Sequence, residues 1–308
     1  MSQARRAPRP LAAHDLRWPP PPEGFPRRYG KPRNSAPSVG RPLPPTLPTE
    51  IVDTPHGVRL ERLLTGIGDP VTIFAHGLGH GIAETRPLGG GVLGKRVFFQ
   101  FRGHGDSDSP PGAWDYGDLA RDMRAMADMT GATQALGVSL GAGALCRLLA
   151  ETPDRFRKVV FFLPAVLDTP RPQVAQAKLN ELLEAINNGD VAAVANAVVH
   201  EIPPTLRNGN SGWAYVRQRI NNLMNTGLSA GLLNLPDQVC VPSVDLLRDV
   251  TAEALVIGCL GDDQHPSSIA TRLAEVLPQA TLHIYSRPSV LWHERLDLRE
   301  RVSTFLNR

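Results

Sequence analysis

The 308 residues are 42% hydrophobic and 20% charged, with both signs represented, which is the balance of a globular chain and not of a disordered or fibrous one. No run approaches the roughly 18 consecutive apolar residues that a membrane-spanning helix needs. The formal net charge of +3 is uneven: residues 1–50 hold nine Arg or Lys against three Asp or Glu, a balance of +6, and the remainder carries −3, which disfavours a nucleic-acid-binding body with its basic patch on the folded part.

Residues 1–48 contain 13 of the 29 prolines, including Pro19 to Pro22, and such a segment sustains neither helix nor central strand. It is read as a solvated tail. The competing reading is an arm that wraps the domain through Leu16, Trp18, Phe25 and Tyr29. Arg5 and Arg6 are followed by no apolar segment, so no secretory or twin-arginine signal is indicated and a cytoplasmic location is expected. The three cysteines, Cys146, Cys240 and Cys259, are sparse and odd in number, which fits reduced thiols and not a disulfide framework. No Cys-x-x-Cys pair or His/Cys cluster has zinc-ligand spacing, and no metal or organic cofactor is expected.

From Glu50 the pattern alternates. Glu50–Asp53 and Val58–Leu64, around Pro55-His56-Gly57, predict a hairpin. Val71–Ala75 and Lys95–Phe101 are short apolar runs of the kind buried in parallel sheets. Leu119, Met123 and Met126 share one helical face between Tyr116 and Thr130. Ala132–Val138 predicts the next strand, and a helix follows Ser139 to about Glu151. Val159–Leu163, Leu255–Leu260 and Thr281–Tyr285 supply three more strands, with helices at about Ser267–Val276 and Glu294–Asn307. Alternating strands and helices with buried strands imply an α/β fold with a doubly wound, mostly parallel sheet.

The stretch 169–250 interrupts that alternation with amphipathic helices, marked by Leu179, Leu182, Leu183 and Ile186, then Val191, Val194 and Val198, then Trp213, Val216, Ile220 and Leu223. It is too long for a connecting loop and is read as a cap. On this reading residues 49–168 and 251–308 form the core.

Gly137-Val138-Ser139-Leu140-Gly141 fits G-x-S-x-G. The match is weak alone, and its setting between a predicted strand and a predicted helix strengthens it: glycines let the chain turn sharply there and expose the serine hydroxyl. Two further blocks accompany it. His76-Gly77-Leu78-Gly79 follows the Val71–Ala75 strand, and Arg102-Gly103-His104-Gly105-Asp106-Ser107 follows the Lys95–Phe101 strand. From about Glu50 to Arg308, fading within 169–250, the chain resembles the α/β-hydrolase family, whose oxyanion loop and R-G-x-G-x-S segment these blocks match.

The resemblance implies a serine nucleophile, Ser139, with an acid and a histidine following in chain order. Gly258-x-x-x-Asp262-x-x-x-Pro266 looks like the family's acid loop. Asp262 has the better spacing to Pro266, and Asp263 and Asp168 stand as alternatives. His293, after the final strand and before the closing helix, occupies the place of the base. The backbone N–H groups of Leu78 and Leu140 are the implied oxyanion donors, and His76, Gly77 and Trp292 the implied substrate-binding residues. His80 is expected to shape or line the same loop, and His104 and Cys146 to be structural. Two departures stand out: Trp292 precedes the histidine where relatives often carry Gly, and Val138 fills an elbow position where many carry a larger residue.

The function expected is a serine hydrolase acting on a small or medium apolar ester, thioester or lactone through an acyl-enzyme, with a small-molecule substrate as its partner. The alternatives are non-hydrolytic or C–C bond chemistry on the same scaffold, and a non-enzymatic ligand-binding protein.

Overall fold

A computed structural model describes residues 48–207, 209–225, 231–232 and 234–308. Leu16, Trp18, Phe25, Tyr29 and Leu233 lie outside the described residues, as does the side chain of Trp213.

The expected hairpin forms from β1 (Glu50–Asp53) and β2 (Arg59–Thr65), antiparallel to each other. β2 then pairs antiparallel with β4 (Lys95–Phe99). All remaining neighbours run parallel: β3 (Val71–Ala75), β5 (Gln134–Val138), β6 (Lys158–Phe162), β7 (Glu253–Cys259) and β8 (Ala280–Tyr285). The strand order is β1-β2-β4-β3-β5-β6-β7-β8, so the chain winds outward in both directions from β3 and β5. Strands β3 and β7 are buried almost throughout, as parallel strands covered on both faces must be.

Side chains alternate between the two faces of each strand. Ile73, Val97, Val159, Phe161 and Val256 point one way. There they meet α2 (Tyr116–Thr130) and α3 (Leu140–Glu151), through Leu119, Met123, Met126, Leu145 and Leu148. Phe74, Phe98, Val160, Phe162 and Ile257 point the other way, against Leu298, Val302 and Leu306 of the closing helix Arg295–Asn307. Phe74 and Phe98 stack with centroids 4.6 Å apart.

Between β3 and β4 lies a short helix, α1 (Ile82–Thr85). Between β6 and β7 come α4 (Gln173–Asn187), α5 (Val191–Val199) and α6 (Asn210–Asn225), whose apolar stripes join the same core cluster as α2 and α3. The helix after β7 is α7 (Ser267–Val276). After β8 a four-residue helix, α8 (Val290–His293), precedes the closing helix α9 (Arg295–Asn307). Sequence periodicity places that last helix from Glu294 and does not anticipate α8 as a separate turn. Among the described residues no helix is long and apolar enough to cross a membrane.

Candidate active site

Ser139 stands where β5 passes into α3, with φ 49° and ψ −104°. A positive φ is costly for a residue with a side chain and persists only where the surroundings impose it. Here the two flanking glycines do so. A Cβ on Gly137 would lie 2.4 Å from the Gly141 carbonyl oxygen, and one on Gly141 would lie 2.6 Å from the Ala75 carbonyl oxygen. The turn is therefore pressed against its own helix on one side and against β3 on the other, with room for no side chain at either glycine. Hydrogen bonds from Ser139 N–H to the Phe162 carbonyl (3.0 Å) and from Gly141 N–H to the His76 carbonyl (3.1 Å) pin it to both neighbouring strands.

The loop after β7 supplies the partners. Asp262 Oδ1 accepts the N–H groups of Gln264 (2.9 Å) and His265 (3.1 Å), a side-chain turn that closes Gly261 to Pro266 on itself. The other oxygen, Oδ2, faces His265 Nδ1 at 3.0 Å, and His265 Nε2 lies 2.9 Å from Ser139 Oγ. A carboxylate only accepts, so the imidazole proton belongs on Nδ1 and Nε2 is left to accept from the serine hydroxyl. Burial opposes ionisation of Asp262, but the hydrogen bonds from His265 and from the two amides outweigh it and hold the carboxyl below its usual range. Nearby Cys259 does not compete as a nucleophile: burial, helped by the Asp262 charge, pushes its thiol up to about 12.

His265, not His293, reaches the serine. The expectation of His293 as base is corrected by where the segment after β8 goes. Its residues are used to hold the helical insertion: Ser289 Oγ donates to the Glu201 carbonyl (3.3 Å), and Trp292 packs edge-on to Tyr215 at 5.3 Å. His293 ends the short helix α8 and is exposed to solvent. Sequence reasoning missed His265 although it lies inside the quoted Gly258-to-Pro266 segment. The available signal was an Asp and a His three residues apart on a loop at the carboxyl end of a buried strand.

Of the three aspartates weighed, Asp262 is the one hydrogen-bonded to His265 and, through it, linked to Ser139. Asp263 is exposed and pairs with Lys178 on α4 at 2.9 Å. Asp168 is occupied by both terminal guanidinium nitrogens of Arg272 (2.6 and 3.0 Å) and by the Val244 N–H (3.0 Å), which makes it a brace between the insertion and α7.

The loop after β3 lies beside the serine: a Cβ on Gly77 would sit 3.5 Å from Ser139 Cβ. The expectation that His76 touches substrate is corrected by the structure. It is 0% exposed, its Nε2 accepts the Phe101 N–H (3.1 Å), and its Nδ1 therefore donates to the Gly77 carbonyl (2.8 Å). Burial pushes its pKa down to about 4, so it is a neutral strut. His104 behaves alike: Nε2 accepts the Gly79 N–H (3.1 Å), Nδ1 donates to the Arg102 carbonyl (3.1 Å), and burial keeps it uncharged. His80, likewise held neutral by burial and by the Arg219 charge, sends its N–H to the Gly77 carbonyl (3.0 Å) and places Nε2 3.4 Å from Tyr215 Oη. With the Gly77 carbonyl held from one side, the trans peptide directs the Leu78 N–H to the other. Among the described residues neither the Leu78 nor the Leu140 N–H donates to a protein acceptor.

A polar hollow of about 400 Å³ opens at the opposite end of the sheet, lined by Asp69, Thr133, Arg157, Lys158 and Glu253 among others. It holds no nucleophile–base pair. The reactive groups instead gather beyond the carboxyl ends of β3, β5 and β7, where doubly wound sheets bind ligands.

Comparison with known proteins gives a consistent picture of the fold. A family model described as alpha/beta hydrolase fold matches residues 70–200. No curated protein matches the chain in sequence. Among solved structures, the chain is similar to an esterase from Exiguobacterium antarcticum, with 15% identity and a TM-score of 0.68 over 84% of this chain and 99% of that one. It is also similar to a thermophilic esterase from Thermogutta terrifontis, with 19% identity and a TM-score of 0.70 over 84% and 98%. A meta-cleavage product hydrolase from Pseudomonas fluorescens IP01 superposes with a TM-score of 0.69 at 18% identity, over 84% and 97%. At these identities the likeness concerns the fold.

Proposed function

We propose that the chain, whose residues 70–200 match the alpha/beta hydrolase fold model, is a serine hydrolase in which Ser139 attacks, His265 carries the proton and Asp262 orients and stabilises the histidine. The observation that carries this reading is the continuous relay from Ser139 Oγ through both imidazole nitrogens to a carboxylate that stays ionised.

His265 Nε2 takes the hydroxyl proton as Ser139 Oγ adds to a carbonyl carbon, and the imidazolium that forms is steadied by Asp262. Negative charge then develops on the carbonyl oxygen, where the Leu78 and Leu140 N–H groups are the candidate donors. Preorganised donors of this kind each account for about 10²–10³ in turnover. The tetrahedral intermediate collapses, His265 returns its proton to the leaving alkoxide or thiolate, and an acyl-enzyme remains. Water, deprotonated by the same imidazole, releases the acid and restores Ser139.

The substrate class is inferred from apolar side chains on the adjoining elements. Leu78, Val138 and Trp292 are partly buried apolar side chains packed on the core, and they support a small or medium apolar acyl group as an ester, thioester or lactone. The insertion, resting through α6 on the loop beside Ser139, is proposed to set its size.

A fluorophosphonate probe and a series of p-nitrophenyl esters of increasing acyl length test the proposal. The wild-type chain is expected to label at one serine and to turn over short esters, and Ser139→Ala to do neither while keeping its melting temperature. Undiminished labelling of the variant would remove Ser139 from the role.

A further inference from the structure

Arg219 is a cation on α6 that is only 4% exposed, in a position where an unpartnered guanidinium would be expensive. Each of its nitrogens is used. Nε and Nη2 donate to the two Glu201 carboxylate oxygens at 3.1 and 3.0 Å, and Nη1 donates to the backbone carbonyls of Leu78 (3.1 Å) and Gly79. Glu201 is 34% exposed, so the full desolvation falls on the guanidinium, and burying a charge gains little net stability over apolar packing of the same shape even when it is paired; Arg219 at this depth calls for some other role.

Its targets suggest one. Leu78 lies between two peptide units, and both are held. The 77–78 unit is fixed by His76 Nδ1–H and the His80 N–H on the Gly77 carbonyl. The 78–79 unit is fixed at its N–H by His104 Nε2 and at its carbonyl by Arg219. Three of these four holds come from the α/β core, and the fourth comes from the insertion. The same helix grips the β3–β4 connection again from one residue before Arg219 and three after it. Gln218 Nε2 (2.9 Å) and Asn222 Nδ2 (3.3 Å) both donate to Glu84 Oε1, while Glu84 Oε2 accepts the Gly81 N–H (2.9 Å). The contact is tight enough that a Cβ on Gly79, whose φ is +60°, would fall 2.1 Å from Leu223 Cδ2.

We infer that Arg219, braced by Glu201, is a positioning residue that fixes the Leu78 N–H as an oxyanion donor, so that the insertion completes the catalytic site as well as covering it. This rests on the serine-hydrolase reading. Leu78 cannot rotate either flanking peptide while all four holds persist. Without Arg219 the 78–79 unit keeps only the His104 hold at its N–H and can pivot about it, so the backbone that carries the Leu78 donor is less firmly preorganised at the moment charge develops.

The test compares Arg219→Met, which keeps the bulk of the stem, and Arg219→Lys, which keeps a charge able to reach one carbonyl. Readouts are kcat and KM on a short p-nitrophenyl ester, affinity for a boronic acid that forms a tetrahedral adduct on the serine, and melting temperature. Arg219→Met is expected to lower kcat by about 10²-fold, the loss typical of a misplaced oxyanion donor, with KM nearly unchanged and boronate affinity falling in parallel. Arg219→Lys is expected to recover part of that loss. If Arg219→Met does not fold, the Lys variant alone carries the test, and its kcat must lie below wild type at an unchanged KM. A folded Arg219→Met variant with wild-type kcat overturns the inference, and so does a loss confined to KM, which would make Arg219 a substrate contact. A wild-type chain that fluorophosphonate does not label defeats the serine-hydrolase reading and the inference with it. A wild-type chain that labels beside an undiminished Arg219→Met variant defeats the inference alone.

Discussion

The loop after β7 and the segment after β8 begin alike, at the carboxyl ends of neighbouring parallel strands, and serve different purposes. The first folds on itself: the Asp262 carboxylate caps two amides within three residues, and the same turn sets His265 against Ser139. Pro266 follows directly and disfavours helical backbone at His265, so α7 starts after the histidine and not through it. The second segment reaches outward, giving Ser289 and Trp292 to the insertion and leaving His293 in solvent. On the proposed reading, an acid and base set on one short loop need only that loop to be correct. The edge strand is thereby released to anchor the insertion.

The comparison breaks most sharply at the carboxylate. Asp262→Asn is expected to lower turnover by about 10⁴-fold, the loss seen when the triad carboxylate of a serine protease becomes an amide, because the amide favours the wrong imidazole tautomer. Asp263→Asn loses an exposed pair with Lys178 and is expected to change turnover less than about twofold. Kinetics on one short ester decide the ranking, and the reverse order would move the acid to Asp263.

Stability at low pH sharpens the same contrast. The folded pKa of Asp262 lies below its unfolded value, so its interactions stabilise the fold above an unfolded carboxylate value of about 3.9 and are lost as pH falls through the lower folded value. Melting temperature measured downward from about pH 6 should fall less steeply for Asp262→Asn than for wild type. Parallel curves would show that the carboxylate gains nothing from its turn.

The smallest effect is expected on the β8 side. Trp292→Ala removes the edge-on contact with Tyr215 and should loosen the seat of α6, raising activity on long acyl esters relative to short ones without a large loss in turnover. An unchanged chain-length profile would place Trp292 outside the acyl site.

Much of this was legible in the sequence, for local reasons. The strands of the doubly wound sheet announce themselves as short buried runs, and Gly137 and Gly141 flag Ser139 because no other residue fits the turn. The helices α4, α5 and α6 follow from their apolar stripes. His265 was hidden because chain order directs attention to the end of the last strand, whereas its position depends on a side-chain turn that periodicity cannot register. The hydrogen bonds of His76 were hidden too: a histidine beside a glycine-rich loop reads as a ligand contact until its nitrogens are seen to be spoken for by Phe101 and Gly77. Arg219 lies on a face that reads as apolar or solvated, and nothing in its spacing pairs it with Leu78, 141 positions away.

The central claim is that the base resides on the β7 loop, and fluorophosphonate labelling of His265→Ala beside His293→Ala tests it most directly. His265→Ala is expected to lose labelling as nearly as Ser139→Ala does, while His293→Ala labels at the wild-type rate and melts at the wild-type temperature. Loss of labelling in His293→Ala with retention in His265→Ala would contradict it.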